Sequence, residues 1–193
     1  MISKAAAKWA DWLVTNGAEP ESREIIIYGI ECAFNEIIAN LIVFAIAFII
    51  KMPLEMLVWQ VFWLALRINL GGQHAKSHFA CIVCSTLLAV VCVLLIPVIV
   101  LFPLLILIEI LFSISIAFFV APSIHPNRLI SEGRILKVKK RGRVICIAES
   151  VIIFVLYFTF PAWVAHVATL GMFSAAVLCL IGKFTNKEKM ALR

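Results

Sequence analysis

The feature that most constrains this chain is a series of long apolar runs separated by short polar connections. A helix needs about 20 apolar residues to cross the hydrocarbon layer of a bilayer, and most of these runs approach that length. The mean hydropathy of +1.09 and the hydrophobic share of 64% exceed the values typical of a soluble domain. The sequence therefore predicts an all-α fold, a polytopic membrane bundle, built as one domain over residues 1–193.

About six membrane segments are expected along the chain. They cover residues 26–50, 54–66, 79–101, 104–120, 144–163 and 167–184. Pro97 should kink the third segment, because proline cannot donate the backbone hydrogen bond of a helix interior. Ahead of them, residues 2–16 place Ile2, Trp9 and Trp12 on one helical stripe. This pattern predicts an amphipathic helix that lies in the membrane interface, or one that docks onto the protein's own helices.

The basic residues crowd into the connections between the apolar runs. The chain has 17 Lys and Arg against 11 Asp and Glu, for a net charge of +6. Because basic residues mark the cytoplasmic ends of membrane helices, this distribution indicates a lipid membrane and not nucleic acid as the partner. It predicts that both termini, the loop 67–78 and the basic loop 123–143 all lie on the cytoplasmic side.

The stretch RINLGGQHAKSHFACIVCS, residues 67–85, is a polar, glycine-containing connection that carries His74 and Cys81. A thiol beside an imidazole is the pair that nucleophilic catalysis on an acyl bond requires. On one unbroken helix the two side chains would share a face but lie about 10 Å apart along the axis. That separation is too long for proton transfer, so cooperation between them requires a break in the helix.

The sequence contains the signals for such a break. Gly71-Gly72 is a poor helix interior, and Ser77 is a good N-cap ahead of an apolar run. With Ser77 as cap, Cys81 lies near the end of the first helical turn, where the helix dipole favours a thiolate. His74 on the preceding loop could then fold back and take the proton, and the free N–H groups of the turn could receive an oxyanion.

Two other interpretations of this segment remain open. The spacing of its histidines and cysteines also suits a metal site on a helix, formed by His74, His78, Cys81 and Cys84. It lacks the His-Glu-x-x-His pattern of the zinc proteases. Cys84 is also a rival nucleophile, although it lies deeper in the apolar run.

Polar residues within the first apolar run are expected to face a cavity or a partner, since carboxylates are costly at membrane depth. Glu31 and Asn35 are neighbours on one helical face, and Glu36 and Asn40 on another. Glu36 and Asn40 are interpreted as bridges between helices or as residues in contact with interfacial water. For Glu31, a catalytic and a structural role both remain open.

Several of these residues together resemble a known family. They are Arg67, the Gly72-x-His74-Ala75 step, Cys81 seven residues after His74, Tyr28-Gly29-Ile30-Glu31 and the Ala121-Pro122 step before a basic loop. The combination is similar to the accessory gene regulator B (AgrB) peptidases of Gram-positive quorum sensing. The resemblance covers most of the chain and implies a bacterial cell membrane location and a homodimer.

The resemblance implies a membrane-embedded cysteine endopeptidase, without cofactor or metal, that acts on an AgrD-like propeptide. Cys81 would be the nucleophile and His74 the general base of a thioester mechanism that ends in a thiolactone or lactone ring. Glu31, with Asn35 as second choice, would orient the imidazole, and Gln73 would donate to the oxyanion.

Such propeptides tend to have an acidic tail, for which the sequence has basic residues near the catalytic segment. The expected contacts are Arg67, Lys139, Lys140 and Arg141. Plain anchoring to anionic lipid explains the same charges equally well. The alternative functions are a small-peptide transporter or exporter and a non-catalytic membrane adaptor.

Overall fold

The computed structural model describes residues 2–72, 77–123 and 132–191, without the side chains of residues 2, 78, 132 and 186–191. The described residues form eight α-helices and no β-strand, which confirms the all-α fold. The helices are α1 (Ile2–Thr15), α2 (Arg23–Ile49), α3 (Pro53–Leu70), α4 (His78–Leu94), α5 (Ile96–Ile99), α6 (Leu104–Phe119), α7 (Glu132–Thr159) and α8 (Ala162–Ala191). A short 3₁₀ helix, Pro20–Ser22, precedes α2.

Several helices have the length and composition of membrane-crossing segments. Within the described residues three qualify outright, namely Pro20–Ile49, Gly133–Thr159 and Ala162–Thr185, and Phe79–Leu94 and Leu104–Phe119 are shorter apolar helices. Their outer faces expose large apolar side chains such as Leu41, Leu107 and Phe154. In water such faces would be unfavourable, whereas lipid covers them at no cost. The fold is therefore an all-α membrane bundle.

Helix α8 is the centre of the bundle. In its candidate span 72% of the residues are buried inside the protein, against 22% in the corresponding spans of α2 and α7. It packs most extensively against α3, and also against α6, α7, α4 and α5. The buried face of α8 consists largely of small residues, including Ala168, Ala175 and Cys179. Small side chains let helix backbones approach closely, which is the usual basis of helix association in membranes.

Helices α3 and α8 approach each other closely at Gly171. A Cβ atom built on Gly171 would lie 2.5 Å from the carbonyl oxygen of Trp59 and 3.1 Å from the backbone nitrogen of Trp63. The two tryptophan rings stack on each other, with centroids 4.9 Å apart. Any larger residue at position 171 would therefore push the two helices apart.

Hydrogen bonding between helices adds to this packing. The Gln60 side-chain amide of α3 donates to the Asn40 side chain of α2. The interpretation of Asn40 as a bridge between helices is thus confirmed.

Helix α1 packs against α2, with Ala6 and Ala10 fully buried. Arg23 Nε lies 2.7 Å from a carboxylate oxygen of Asp11 and ties the two helices together. Trp9 and Trp12 stay on the outer side, 56% and 59% exposed. Helix α1 thus docks onto the protein's own α2 and leaves both indole rings exposed. That these rings lie in the membrane interface stays a prediction.

The predicted loop boundaries were wrong at two places. Helix α3 does not end at residue 66 but continues to Leu70, and α4 begins at His78, so both ends of the expected loop 67–78 are helical. Helix α7 begins at Glu132, well inside the expected loop 123–143. Both corrections have one reason: loss of apolar character marks where lipid ends, whereas Arg, Lys and Glu are strong helix formers that let a helix continue into water.

The third apolar run, where Pro97 is predicted to cause a kink, is interrupted two residues before that proline. Helix α4 ends at Leu94, Leu95 forms a turn, and Pro97 lies in the first turn of α5. A proline is tolerated there because the first N–H groups of a helix have no intrahelical acceptor.

Candidate functional site

Cys81 lies at the beginning of α4, one turn after a capping residue. The Ser77 hydroxyl accepts a hydrogen bond from the Ala80 N–H at 3.2 Å, and the Ser77 carbonyl accepts one from the Cys81 N–H at 3.0 Å. Ser77 has an extended backbone, with φ −131° and ψ 153°, as an N-cap requires. The predicted cap is therefore confirmed. The Cys81 side chain is half-buried.

The helical path is interrupted between Arg67 and Cys81, as the predicted cooperation of His74 with Cys81 would require. Helix α3 ends at Leu70, and Gly71 and Gly72 follow with φ of 70° and 145°. These backbone conformations strongly favour glycine. The predicted break at Gly71-Gly72 is confirmed. His74 and Gln73 lie outside the described residues, so their roles stay predictions.

Arg67 is part of this junction. Its Nη1 donates a 2.6 Å hydrogen bond to the Gly71 carbonyl, and its guanidinium lies over the Trp63 ring, 5.8 Å from the centroid. It also interacts electrostatically with Glu36 and Cys81. A cation near a thiol favours the thiolate form that attacks carbonyl carbon. At the end of the bundle where α3 meets α4, Arg67 thus lies within electrostatic range of both Cys81 and Glu36.

Glu36 is a residue whose proximity to Arg67 the sequence analysis does not predict, because it interprets Glu36 as a bridge between helices or a contact with interfacial water. The sequence does contain a signal that Glu36 and Arg67 lie near each other, namely their similar distances from the turn between α2 and α3. Glu36 lies thirteen residues before the end of α2 and Arg67 fourteen after the start of α3. Two antiparallel helices joined by a tight turn place such residues at the same depth. Glu31, the predicted orienting residue, lies five positions earlier on α2 and is partly buried, and Asn35 is buried.

The end of α3 is also held by residues from α6 and α8. The Ser123 N–H, just beyond α6, donates to the Leu70 carbonyl at 2.9 Å, and Ser123 forms an isolated β-bridge with Gly71. The Cys179 thiol of α8 donates to the same carbonyl at 3.4 Å. The last carbonyl of α3 has no hydrogen-bond donor within its own helix, and these two contacts supply one each.

The basic turn of α7 lies beside the same junction. A Cβ built on Gly142 would lie 3.0 Å from the Leu70 side chain and 3.4 Å from the Asn69 carbonyl. This contact brings the preceding residues Lys139, Lys140 and Arg141 to the end of α3, where Lys140 and Arg141 are exposed and Lys139 is half-buried. The arrangement forms a basic surface next to the segment that leads to Cys81.

Arg143 has a different role from its basic neighbours. It donates to the Phe118 carbonyl at 2.8 Å, and its guanidinium lies 4.9 Å from the centroid of the Phe118 ring. It therefore joins α7 to the end of α6. The sequence signal for such a role is a basic residue directly before an apolar run.

The other cysteine interpretations can be compared with the structure in part. Cys84, the rival nucleophile, lies one turn further along α4 and is exposed on the outside of the bundle. Within the described side chains, no group of three or more His, Cys, Asp or Glu residues could hold a metal ion. The histidines of the alternative metal site, His74 and His78, fall outside that set.

The fold and this site define the protein as a helical membrane bundle that carries a cysteine at a capped helix start. The model of the accessory gene regulator B family matches residues 6–182, so the chain belongs to that family. This membership gives the protein a role in the accessory gene regulator system of quorum sensing. Searches of curated proteins and of solved structures return no significant match.

Proposed function

We propose that the protein is a cysteine endopeptidase of the cell membrane that cleaves an AgrD-like propeptide and promotes its cyclisation. The observation that carries the proposal is the position of Cys81 at the capped start of α4, within electrostatic reach of Arg67. A helix start close to a positive charge is an environment in which reactive cysteines are commonly found. Family membership supports peptide processing as the setting.

The first step is acylation of Cys81. His74 takes the thiol proton, and the sulfur attacks the carbonyl carbon of the propeptide. The peptide C–N bond breaks, and the departing amine takes the proton from the imidazolium. The N-terminal part of the propeptide stays on Cys81 as a thioester. Backbone N–H groups of the first turn of α4 would stabilise the intermediate oxyanion.

The second step closes a ring. An internal Cys or Ser of the propeptide loses its proton to His74 and attacks the thioester carbonyl. The carbon–sulfur bond to Cys81 breaks, and the released thiolate regains the proton from the imidazolium. Exchange of one thioester for another is nearly neutral in energy, so the acyl bond retains its energy until the ring closes. A site at the lipid boundary limits the competing attack of water.

The experiment that tests this proposal replaces the two cysteines of α4 one at a time. Cys81→Ser and Cys81→Ala should abolish cleavage of a co-produced AgrD-like propeptide while the protein remains inserted, and His74→Ala should do the same. Cys84→Ser, one turn away, is the matched control and should cleave normally. Cleavage by Cys81→Ala would overturn the proposal.

The basic surface of α7 is proposed to receive the acidic tail of the propeptide. Its support is the packing of Gly142 on α3, which brings Lys139, Lys140 and Arg141 to the segment before Cys81. Reversing these three charges should raise KM, with a salt dependence, in protein that is inserted normally. If KM is unchanged in the normally inserted variant, these charges serve only to anchor the protein to anionic lipid.

A small-peptide exporter is the second candidate function, favoured by polar groups inside the bundle. Glu109 and Glu149 are buried, and in the described part of the chain one oxygen of the first and both of the second have no hydrogen-bond partner. Ionisable residues at membrane depth commonly mark transport paths. An exporter would keep its activity in Cys81→Ser, so the cysteine exchange also separates these two functions. A non-catalytic adaptor would tolerate replacement of both His74 and Cys81.

A further inference from the structure

The junction between α3 and α4 contains a cation whose contacts are directed at the protein itself. Arg67 is half-buried, and its Nη1 donates to the Gly71 carbonyl at 2.6 Å. The guanidinium also lies over the Trp63 ring. A side chain that docks a substrate tail would present its donors to solvent, whereas this one binds the turn that follows its own helix.

Gly72 makes the room that this guanidinium occupies. A Cβ atom at position 72 would overlap Arg67 Nη1 and would lie 2.8 Å from the Leu178 carbonyl of α8. Gly72 is buried, and its φ of 145° is unfavourable for other residues. The arginine, the glycine and α8 therefore form one close-packed unit, in which a change at one position displaces the others.

This unit also connects the two halves of the proposed site. The chain reaches His74 two residues after Gly72, and Arg67 interacts electrostatically with Cys81 on α4 and with Glu36 on α2. Ser123 and Cys179 hold the Leu70 carbonyl from the opposite side. The position from which the chain continues toward His74 is thus determined largely by the contacts of Arg67.

From this geometry we infer that Arg67 is a positioning residue. It fastens the Gly71-Gly72 turn to the end of α3 and so positions the start of the segment that leads to Cys81 on α4. This inference rests on the proposed function, because it assigns Arg67 a task in that reaction. It differs from the docking role that the sequence suggested for Arg67, which requires only the positive charge.

The test separates positioning from docking by steady-state kinetics of the full-length protein in detergent micelles, with an AgrD-like propeptide as substrate. Arg67→Gln and Arg67→Lys should both lower kcat, by about 100-fold if the reacting atoms shift by about 1 Å, with KM unchanged. Gly72→Ala should reproduce the loss of kcat, because its Cβ displaces the guanidinium. Gly133→Ala is the matched control, since a Cβ there meets no atom within 4 Å.

A second measurement makes the result independent of folding and of the substrate. The rate at which iodoacetamide alkylates Cys81, located by mass spectrometry, should fall in Arg67→Gln without any propeptide present. Gel filtration selects the folded fraction for each variant. A raised KM at normal kcat that Arg67→Lys restores would overturn the inference, as would full activity of Gly72→Ala.

The experiments distinguish failure of the proposed function from failure of the positioning role of Arg67. If Cys81→Ala still cleaves the propeptide, the proposed function itself fails. If Cys81→Ala is inactive but the Arg67 variants change only KM, the protease stands and only the positioning role fails.

Discussion

At the scale of single residues, local chemistry determined the start of α4. The Ser77 hydroxyl satisfies an N–H that the helix itself leaves without a partner, and this requires only the neighbouring backbone. The cap and the glycine break were therefore predictable from the sequence. The partner of Arg67 was not, because Glu36 and Arg67 come together only through the packing of different helices.

Loss of the cap should loosen the first turn of α4 without unfolding the protein. Replacing Ser77 by Ala removes the hydrogen bond to the Ala80 N–H, worth about 1 kcal/mol. Amide exchange in the first turn, measured by mass spectrometry, should accelerate about fivefold, since that energy changes an opening equilibrium by this factor. Ser77→Asn retains a capping oxygen and should exchange like the native protein. Equal exchange in Ser77→Ala would show that the cap contributes nothing.

At the scale of the helices, hydropathy located the elements but not their ends. All six apolar runs are largely helical, although the third is divided between α4 and α5 and the fifth extends past the end of α7. Helices α3 and α7 in turn extend into polar sequence at the end of the bundle where Cys81 lies. A helix ends where its backbone hydrogen bonds end, at Gly71 for α3, and not where its side chains become polar. The basic surface of α7 is helical for this reason, which gives its lysines and arginine a defined position.

The contact between α3 and α8 should tolerate no side chain at Gly171. The Cβ of Gly171→Ala would lie 2.5 Å from the Trp59 carbonyl, so the helices must separate. We expect a loss of about 1–3 kcal/mol in stability, the usual effect of overpacking. Thermal unfolding in detergent measures it.

The control for this variant is Gly29→Ala on α2, where a Cβ meets no atom within 4 Å. Because alanine is the better helix former, by about 1 kcal/mol, this variant should be as stable as the native protein or slightly more so. A similar loss in both variants would mean that close packing at Gly171 is not the cause.

At the scale of the whole molecule, the charges predict a sidedness for the bundle. The connection at Lys51, between α2 and α3, carries little charge, whereas the beginning of α7 is strongly basic. The positive-inside rule assigns the basic end to the cytoplasm, and with it the termini and Cys81.

Cysteine labelling in intact cells checks this orientation. Lys51 and Arg134 are both exposed, so a cysteine at either position should react when the reagent reaches it. A membrane-impermeant maleimide should label Lys51→Cys from outside, and Arg134→Cys only after permeabilisation. The reverse pattern would refute the predicted orientation.

The sequence by itself determined the membrane class, the helical fold, the approximate number of apolar segments, the capped start of α4 and the glycine break before it. All of these follow from forces that act locally or between a segment and its solvent. Only the tertiary structure decided that α8 lies at the centre, that Glu36 faces Arg67, and that α6, α7 and α8 meet at the end of α3. Lipid is as apolar as the helix surfaces, so hydropathy does not distinguish one helix neighbour from another. The choice of neighbours depends on close packing between small residues and on a few buried polar contacts, which exist only once the helices have assembled.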